Sequence, residues 1–260
     1  MSFLNASFFR KLFTRGNGRY AKRRRSTQDI ACPRMLESLE PRELLSAQVV
    51  ISEVHPSGSS NGTYAADWFE VTNIGASAVN ISGWKFDDSS NSFASAVALR
   101  GVTSIPAGES AVFFEGNAAG TTDAAIIAAF SSAWFGSPTP PSGILIGAYG
   151  GSGVGLSSSG DAVNLFDAGG TRITGVGFGA AAATATFENT AGLGSATLPL
   201  PTVSSLSVAG AKGGFLASNG AETGSPGNTF TSIDLSTYVR VGRFDLPEPT
   251  REVLGVSRTV

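Results

Sequence analysis

The feature that most constrains the fold is a hairpin pattern at residues 160–174, Gly-Asp-Ala-Val-Asn-Leu-Phe-Asp-Ala-Gly-Gly-Thr-Arg-Ile-Thr. Val163 and Leu165 are two positions apart, which is the period of a strand with one buried face. Residues 167–170 supply the residue types that a tight turn with positive φ requires. A strand, a tight turn and a returning strand predict an antiparallel sheet here.

Similar short segments recur along the chain, separated by Gly, Asn, Ser and Asp. Their β-branched and aromatic content predicts further strands. The 33 glycines and the few lysines favour short strands with tight turns over long charged helices. The predicted strands cover residues 48–54, 67–73, 78–86, 97–99 and 110–115, with 205–208 and 214–217 as candidates for the last two. The predicted fold class is therefore all-β.

One helix interrupts the predicted strands. Asp123 can cap its first turn, and Ile126, Phe130 and Trp134 recur at four-residue spacing on one face. The Gly-Ser-Pro sequence that follows ends the helix. An aromatic face at this spacing predicts packing against the core.

Charge divides the chain into a basic head and an acidic body. Residues 1–46 hold ten Lys or Arg and four Asp or Glu, a net charge of +6, and the rest of the chain has a net charge of −8. Residues 22–25, Lys-Arg-Arg-Arg, are open to two interpretations, a nucleic-acid contact or a disordered, solvated basic tail. No aromatic platform or folded basic face accompanies them, which disfavours nucleic acid as a partner.

The end of the head resembles a known sorting segment. Residues 34–47, Arg-Met-Leu-Glu-Ser-Leu-Glu-Pro-Arg-Glu-Leu-Leu-Ser-Ala, are similar to the LEPR-XLL segment at the N-terminus of many large planctomycete proteins. This resemblance implies export to the cell envelope or the extracellular space. The matching positions, which form the predicted sorting motif, are Leu39, Glu40, Pro41, Arg42, Leu44 and Leu45.

The body, taken in order, resembles a lamin-tail domain. The marks of the resemblance are residues 50–54, 67–73, 79–84, 105–108, 160–165 and 224–227. It implies an immunoglobulin-like β-sandwich with one inserted short helix, which acts as a non-catalytic interaction module. The resemblance implies contact with a protein, a surface or nucleic acid, and of these we expect an unknown surface protein or a glycan as the partner. The stretch 147–185 is longer than a minimal version needs, and we expect an elaborated edge or a loop outside the core.

The sequence thus predicts three regions. Residues 1–47 form the sorting segment, residues 48–230 form the β-sandwich, and residues 231–260 form a tail. Within the tail, residues 238–251 resemble the first strand of phytase-like or SdiA-regulated propeller domains. Because a propeller needs several four-stranded blades, we expect its activity to be absent from this chain. An alternative function follows, in which the chain is the N-terminal part of an extracellular phosphoesterase.

No residue pattern predicts catalysis or a bound cofactor. His55 and Cys32 are the single histidine and the single cysteine, so a Cys/His zinc site and an internal disulfide are excluded. His55 follows a predicted strand and precedes Pro-Ser-Gly, which favours a surface or loop position over a catalytic base. The glycine-rich residues 151–155 lack the Lys that a phosphate loop requires. No run of 18 apolar residues predicts a transmembrane helix.

Two groups of side chains could still bind a ligand. Aspartates could hold calcium through their oxygens, or they could form a solvated turn. Tryptophans could stack on a carbohydrate if they are exposed, although their positions in predicted strands and a helix favour burial. The aspartates are Asp87 and Asp88 with Asp67 or Asp161, and the tryptophans are Trp68, Trp84 and Trp134.

Overall fold

The computed structural model describes residues 49–58, 64–116, 120–150 and 153–228. Within these ranges the chain forms fourteen strands and one helix. The first five-stranded sheet has the order β11 (Phe187–Glu188), β1 (Val49–His55), β2 (Trp68–Asn73), β7 (Ser110–Glu115) and β8 (Leu145–Tyr149). Its pairs are antiparallel except for the parallel pair β7–β8.

The second five-stranded sheet has the order β12 (Thr202–Val203), β10 (Arg172–Phe178), β9 (Asp161–Phe166), β4 (Lys85–Asp87) and β5 (Val97–Ala98). Two short pairs complete the described strands, β3 (Val79–Asn80) with β6 (Ser104–Ile105), and β13 (Phe215–Leu216) with β14 (Thr223–Gly224). The predicted hairpin at residues 160–174 is confirmed as β9 and β10. Their turn is closed by Asp167 Oδ1, which accepts hydrogen bonds from the amides of Gly169 and Thr171.

The main core lies between the two sheets. Phe69 of the first sheet packs on Phe86 of the second, with ring centroids 4.9 Å apart, and on Tyr149 at 5.4 Å. Phe113 and Leu165 are fully buried in the same cluster. Two packed sheets around a shared apolar core confirm the predicted immunoglobulin-like sandwich.

Helix α1 (Asp123–Phe135) lies on the opposite face of the first sheet and forms a second core there. Ile126, Phe130 and Trp134 are all buried, so the prediction from their four-residue spacing is confirmed. The cap differs from the prediction, because Thr122 is the N-cap residue and its hydroxyl accepts from the amide of Ala125. The carboxylate of the predicted cap, Asp123, instead accepts a hydrogen bond of 2.6 Å from Arg100 Nε.

Three further segments differ from the sequence-based expectation. Residues 78–86 form two short strands, because a turn with Gly83 at φ 76° separates β3 from β4. Residues 205–208 form a single bridge, Leu206 to Phe187, in place of a strand. For the stretch 147–185, the alternative of a loop outside the core is wrong, whereas its first residues do form part of a sheet edge. β8 is an edge strand of the first sheet, and its Tyr149 is fully buried.

Candidate functional site

Three glutamates lie side by side on the helix-bearing face of the first sheet. Glu53 of β1 is the register partner of Glu188 on β11 and of Glu70 on β2. The β1–β2 register shifts between Ile51 and Glu53, so Ser52 is an extra residue that lets Glu53 face the same side as Glu70. The glutamate row, residues 188, 53 and 70, is almost wholly shielded from solvent. Carboxyl groups buried at this density require specific partners.

Hydroxyl groups join two of these carboxyls in a closed ring. Ser225 Oγ lies 3.1 Å from Glu53 Oε2 and 2.8 Å from Glu188 Oε2. Thr186 Oγ1 contacts Glu53 Oε1 and Ser207 Oγ, and Ser207 Oγ contacts Glu188 Oε2. The three hydroxyl groups can donate only three of these five hydrogen bonds, because each hydroxyl carries a single hydrogen. Two contacts therefore still need a donor. The ring is completed when both carboxyls also carry a proton and each donates one bond.

The pKa values of the ring carboxyls agree with this proton count. Burial raises the pKa of Glu53 well above its usual range, and the neighbouring charges of Glu70 and Glu188 raise it further. Burial also raises the pKa of Glu188, although its hydrogen bonds from Ser225 and Ser207 act in the opposite direction. Burial therefore shifts both ring carboxyls toward the protonated form relative to the unfolded chain.

Glu70 extends the network along β2. Its Oε1 accepts a 2.7 Å hydrogen bond from Ser52 Oγ, and its Oε2 accepts a 2.6 Å bond from the amide of Gly227. Ser52 Oγ in turn accepts from Thr72 Oγ1 at 2.9 Å. Burial raises the pKa of Glu70 to about 7. The segment around Gly227 is thus attached to the sheet through a group that titrates near neutral pH.

His55 is buried, which corrects the expectation of a surface or loop position. It ends β1, and its Nε2 lies 2.7 Å from Glu222 Oε1. Tyr64 OH donates to the same carboxylate, and the His55 ring packs edge-on against Trp68. His55, Tyr64 and Glu222 are each at most 4% exposed. A substrate cannot reach these groups, so the arrangement links β1 to the segment before β14 and does not present a catalytic base.

A cleft of about 350 Å³ opens directly beside the glutamate row. Glu188 and Ser207 reach it from the hydroxyl ring, and Leu206 and Val208 line it with exposed apolar surface, being 42% and 61% exposed. Lys212 contributes the one positive charge among the lining residues. The remaining lining residues are Thr190, Ser205 and Ala211. The volume is within the range of ligand sites, and the lining combines apolar, hydroxyl and charged groups.

Two of the proposed calcium ligands, Asp87 and Asp161, accept hydrogen bonds from nearby serines. Asp87 accepts from Ser90 Oγ, and Asp161 accepts from the amides of Ser89 and Ser157. Over the described ranges, no group of three or more His, Cys, Asp or Glu side chains is arranged to hold a metal ion.

The tryptophan hypothesis for a carbohydrate platform is wrong. Trp68 and Trp134 are at most 1% exposed and Trp84 is 8% exposed, so none offers a free ring face. Trp68 and Trp134 pack edge-to-face at 5.6 Å in the helix-side core. The expectation that these tryptophans are buried is confirmed.

Several predicted features lie outside the described residues. These are the sorting motif at residues 39–45, the basic residues 22–25 and the tail at residues 238–251. The glutamate row and the cleft were not predicted. The sequence did contain a signal for the glutamate row. A glutamate stands among apolar residues in each of the strand patterns Val-Ile-Ser-Glu-Val and Trp-Phe-Glu-Val.

Comparison with models of known protein families gives a match. The family model of the Lamin Tail Domain matches residues 45–180, which include β1 to β10 and α1. All residues that line the cleft follow this range. Among curated proteins, none is significantly similar to the chain. In the part of the chain that the structure describes, no helix has the length and apolar character needed to cross a bilayer.

Proposed function

This chain belongs to the lamin tail domain family. Domains of this family are non-catalytic and immunoglobulin-like, and they generally serve as interaction modules. On that premise, we propose that the chain binds a partner through the cleft beside Glu188. The observation that supports the cleft as the contact is its exposed apolar lining. Leu206 and Val208 are aliphatic side chains held in the open next to buried polar groups. Exposed apolar surface with a polar surround is typical of binding sites.

We further propose that the whole protein is non-catalytic and exported, and that its partner is a protein or glycan of the cell surface. Export is supported by the sorting motif at residues 39–45. A contact with nucleic acid is disfavoured by the charge of the body, because phosphate binding depends on clustered Lys and Arg. The residues from 47 onward carry a net charge of −8.

Charge insertion in the cleft tests the binding proposal. We expect Leu206→Asp to weaken binding at least about tenfold, because a hot-spot residue of an interface contributes about 2 kcal/mol or more and a tenfold change corresponds to about 1.4 kcal/mol. The full chain and the variant are compared on arrays of envelope proteins and glycans. Leu198→Asp is the matched control, since Leu198 is 60% exposed and does not line the cleft. Equal binding by both variants and the parent would refute the cleft as the contact.

A reporter fusion tests export. Residues 1–47 fused to a fluorescent protein in a planctomycete host are expected to carry most of the reporter out of the cytoplasm. Pro41→Ala combined with Arg42→Ala should retain it inside, because both residues belong to the matched motif. Cell fractionation gives the readout, and a double variant with Ser2→Ala and Asn5→Ala controls for general effects of substitution. Cytoplasmic reporter in all fusions would exclude export by this segment.

A further inference from the structure

The backbone of Leu206 forms an open edge of the first sheet. The Glu188 amide donates to the carbonyl of Ser205 at 2.8 Å, and the Ser207 amide donates to the carbonyl of Thr186 at 3.0 Å. These two bonds flank the Leu206–Phe187 bridge. In an antiparallel ladder, the N–H and C=O groups of the residue between two such bonds point away from the paired strand. Among the described residues, neither group of Leu206 has a hydrogen-bond partner.

The side chains along this edge alternate between the two faces. Ser207 points inward, where its hydroxyl contacts Glu188 and Thr186. Leu206 and Val208 point to solvent and line the cleft. Natural sheet edges are usually protected by charges, prolines or covering segments. The edge at residues 205–208 has a free backbone position flanked by aliphatic side chains, which is the arrangement that accepts an added strand.

The charge beside this edge favours an acidic ligand. Lys212 Nζ donates to Thr190 Oγ1 at 2.9 Å, and within the described ranges no carboxylate forms a salt bridge with it. Its backbone has φ 51°, a left-handed conformation that is uncommon for a residue with a side chain. Glu188 lies deeper, with its Oε2 held by Ser207 and Ser225. A ligand at the rim therefore meets a positive charge first.

We propose that the edge at residues 205–208 binds an extended peptide of a partner protein, which adds one strand through the backbone of Leu206 and sets a carboxylate against Lys212. This inference rests on the proposed function and names the partner's chemistry. Main-chain hydrogen bonds to Leu206 provide the register. Alternate apolar side chains of the peptide cover Leu206 and Val208, and an acidic side chain between them pairs with Lys212.

Three synthetic peptides test this inference on the full chain labelled with ¹⁵N. They are acetyl-Thr-Val-Glu-Val-Thr-amide, its central Lys analogue and the Glu peptide with an N-methyl group on each valine, one of which lies opposite Leu206 in an antiparallel register. We expect the Glu peptide to shift the amide signals of Leu206 and Val208. The Lys analogue should bind about fivefold to tenfold more weakly, because it places like charges together. The N-methyl peptide should lose most of its affinity, because it keeps the side chains but lacks the main-chain donor to the Leu206 carbonyl.

A charge reversal at the rim distinguishes pairing with Lys212 from nonspecific adhesion. In Lys212→Glu, the preference should invert, so that the Lys peptide binds more tightly than the Glu peptide. Leu198→Asp should keep the original preference. No detectable binding of the Glu peptide, or an unchanged preference in Lys212→Glu, would overturn the inference.

Two other outcomes separate this inference from the proposed function. Equal binding of the N-methyl peptide would reject strand addition and leave the cleft as an interaction site. Concentration-dependent pairing of two chains at Leu206, seen by sedimentation, would assign the edge to a second copy of this chain and reject the peptide. By contrast, the proposed function itself fails only if Leu206→Asp leaves binding on the protein and glycan arrays unchanged.

Discussion

The free energy of unfolding is expected to fall by on the order of 3 kcal/mol between pH 5 and pH 8 through Glu70 alone. Burial raises the pKa of Glu70 from 4.5 to about 7 in the folded state. A raised acid pKa means that the folded protein binds the proton more tightly than the unfolded chain. The stabilising contribution is therefore complete below about pH 4.5 and is lost as the pH rises through about 7.

The neighbours of Glu70 act in the same direction. Burial raises the pKa of Glu53 well above its usual range, so Glu53 adds to the loss of stability as the pH rises. The Glu188 charge also raises the pKa of Glu70, whereas the bonds from Ser52 and Gly227 lower it.

Glu70→Gln provides the decisive comparison. A neutral amide cannot ionise, so the part of the slope between pH 5 and pH 8 that comes from Glu70 should disappear, whereas the part that comes from Glu53 should remain. At pH 5 the variant should be less stable by about 1 kcal/mol, because Gln offers one acceptor oxygen to two donors. Chemical denaturation at several pH values measures both effects. Glu109→Gln, a change of a partly exposed glutamate outside the glutamate row, should keep the parental slope. A parental slope in Glu70→Gln would refute the assignment.

Trp134→Ala is expected to destabilise the domain by about 3–5 kcal/mol, the range for truncating a large buried aromatic residue. Trp134 belongs to helix α1 and is 1% exposed. Its side chain packs between the first sheet and the β13–β14 pair. Its ring packs edge-to-face on Trp68 at 5.6 Å and on Phe215 at 5.7 Å. Its removal would leave a cavity where three elements meet.

Two control substitutions make the Trp134 result specific. Trp134→Phe should cost less than Trp134→Ala, because it keeps an aromatic ring in the same space. Leu216→Ala, at a position 56% exposed on β13, should change the free energy of unfolding by no more than about 0.5 kcal/mol. Denaturant titration followed by circular dichroism gives all three values. A cost below about 1 kcal/mol for Trp134→Ala would mean that α1 does not contribute to the core.

Local patterns carried the prediction of the strands and the all-β class, and the resemblance to a lamin-tail domain added the sandwich. Val163 and Leu165 show the two-residue period that one buried strand face imposes, and the Asp-Ala-Gly-Gly turn ends the strand at a defined point. The helix was predicted for the same reason, because Ile126, Phe130 and Trp134 lie on one face at helical spacing. Each of these signals lies within a stretch of about fifteen consecutive residues, so it can be recognised in a single sequence.

The glutamate row and the cleft depend on contacts that local patterns do not contain. Glu53 meets Ser225 across 172 positions, and His55 meets Glu222 across 167 positions. The bulge at Ser52 sets which side of β1 Glu53 faces, and strand register then places it beside Glu70 and Glu188. A shift of one residue would turn Glu53 into the apolar core.

The sequence by itself therefore determined the fold class, the helix and the burial of its tryptophans, because alternation and spacing encode which face of each element is apolar. Only the tertiary structure decided that His55 is buried and that three glutamates share one row. It also decided that Leu206 presents an open edge beside Lys212. These features depend on the register between strands and on the packing of residues 205–228 against the first sheet. Contacts between segments so far apart in the chain produce no periodic pattern in the sequence.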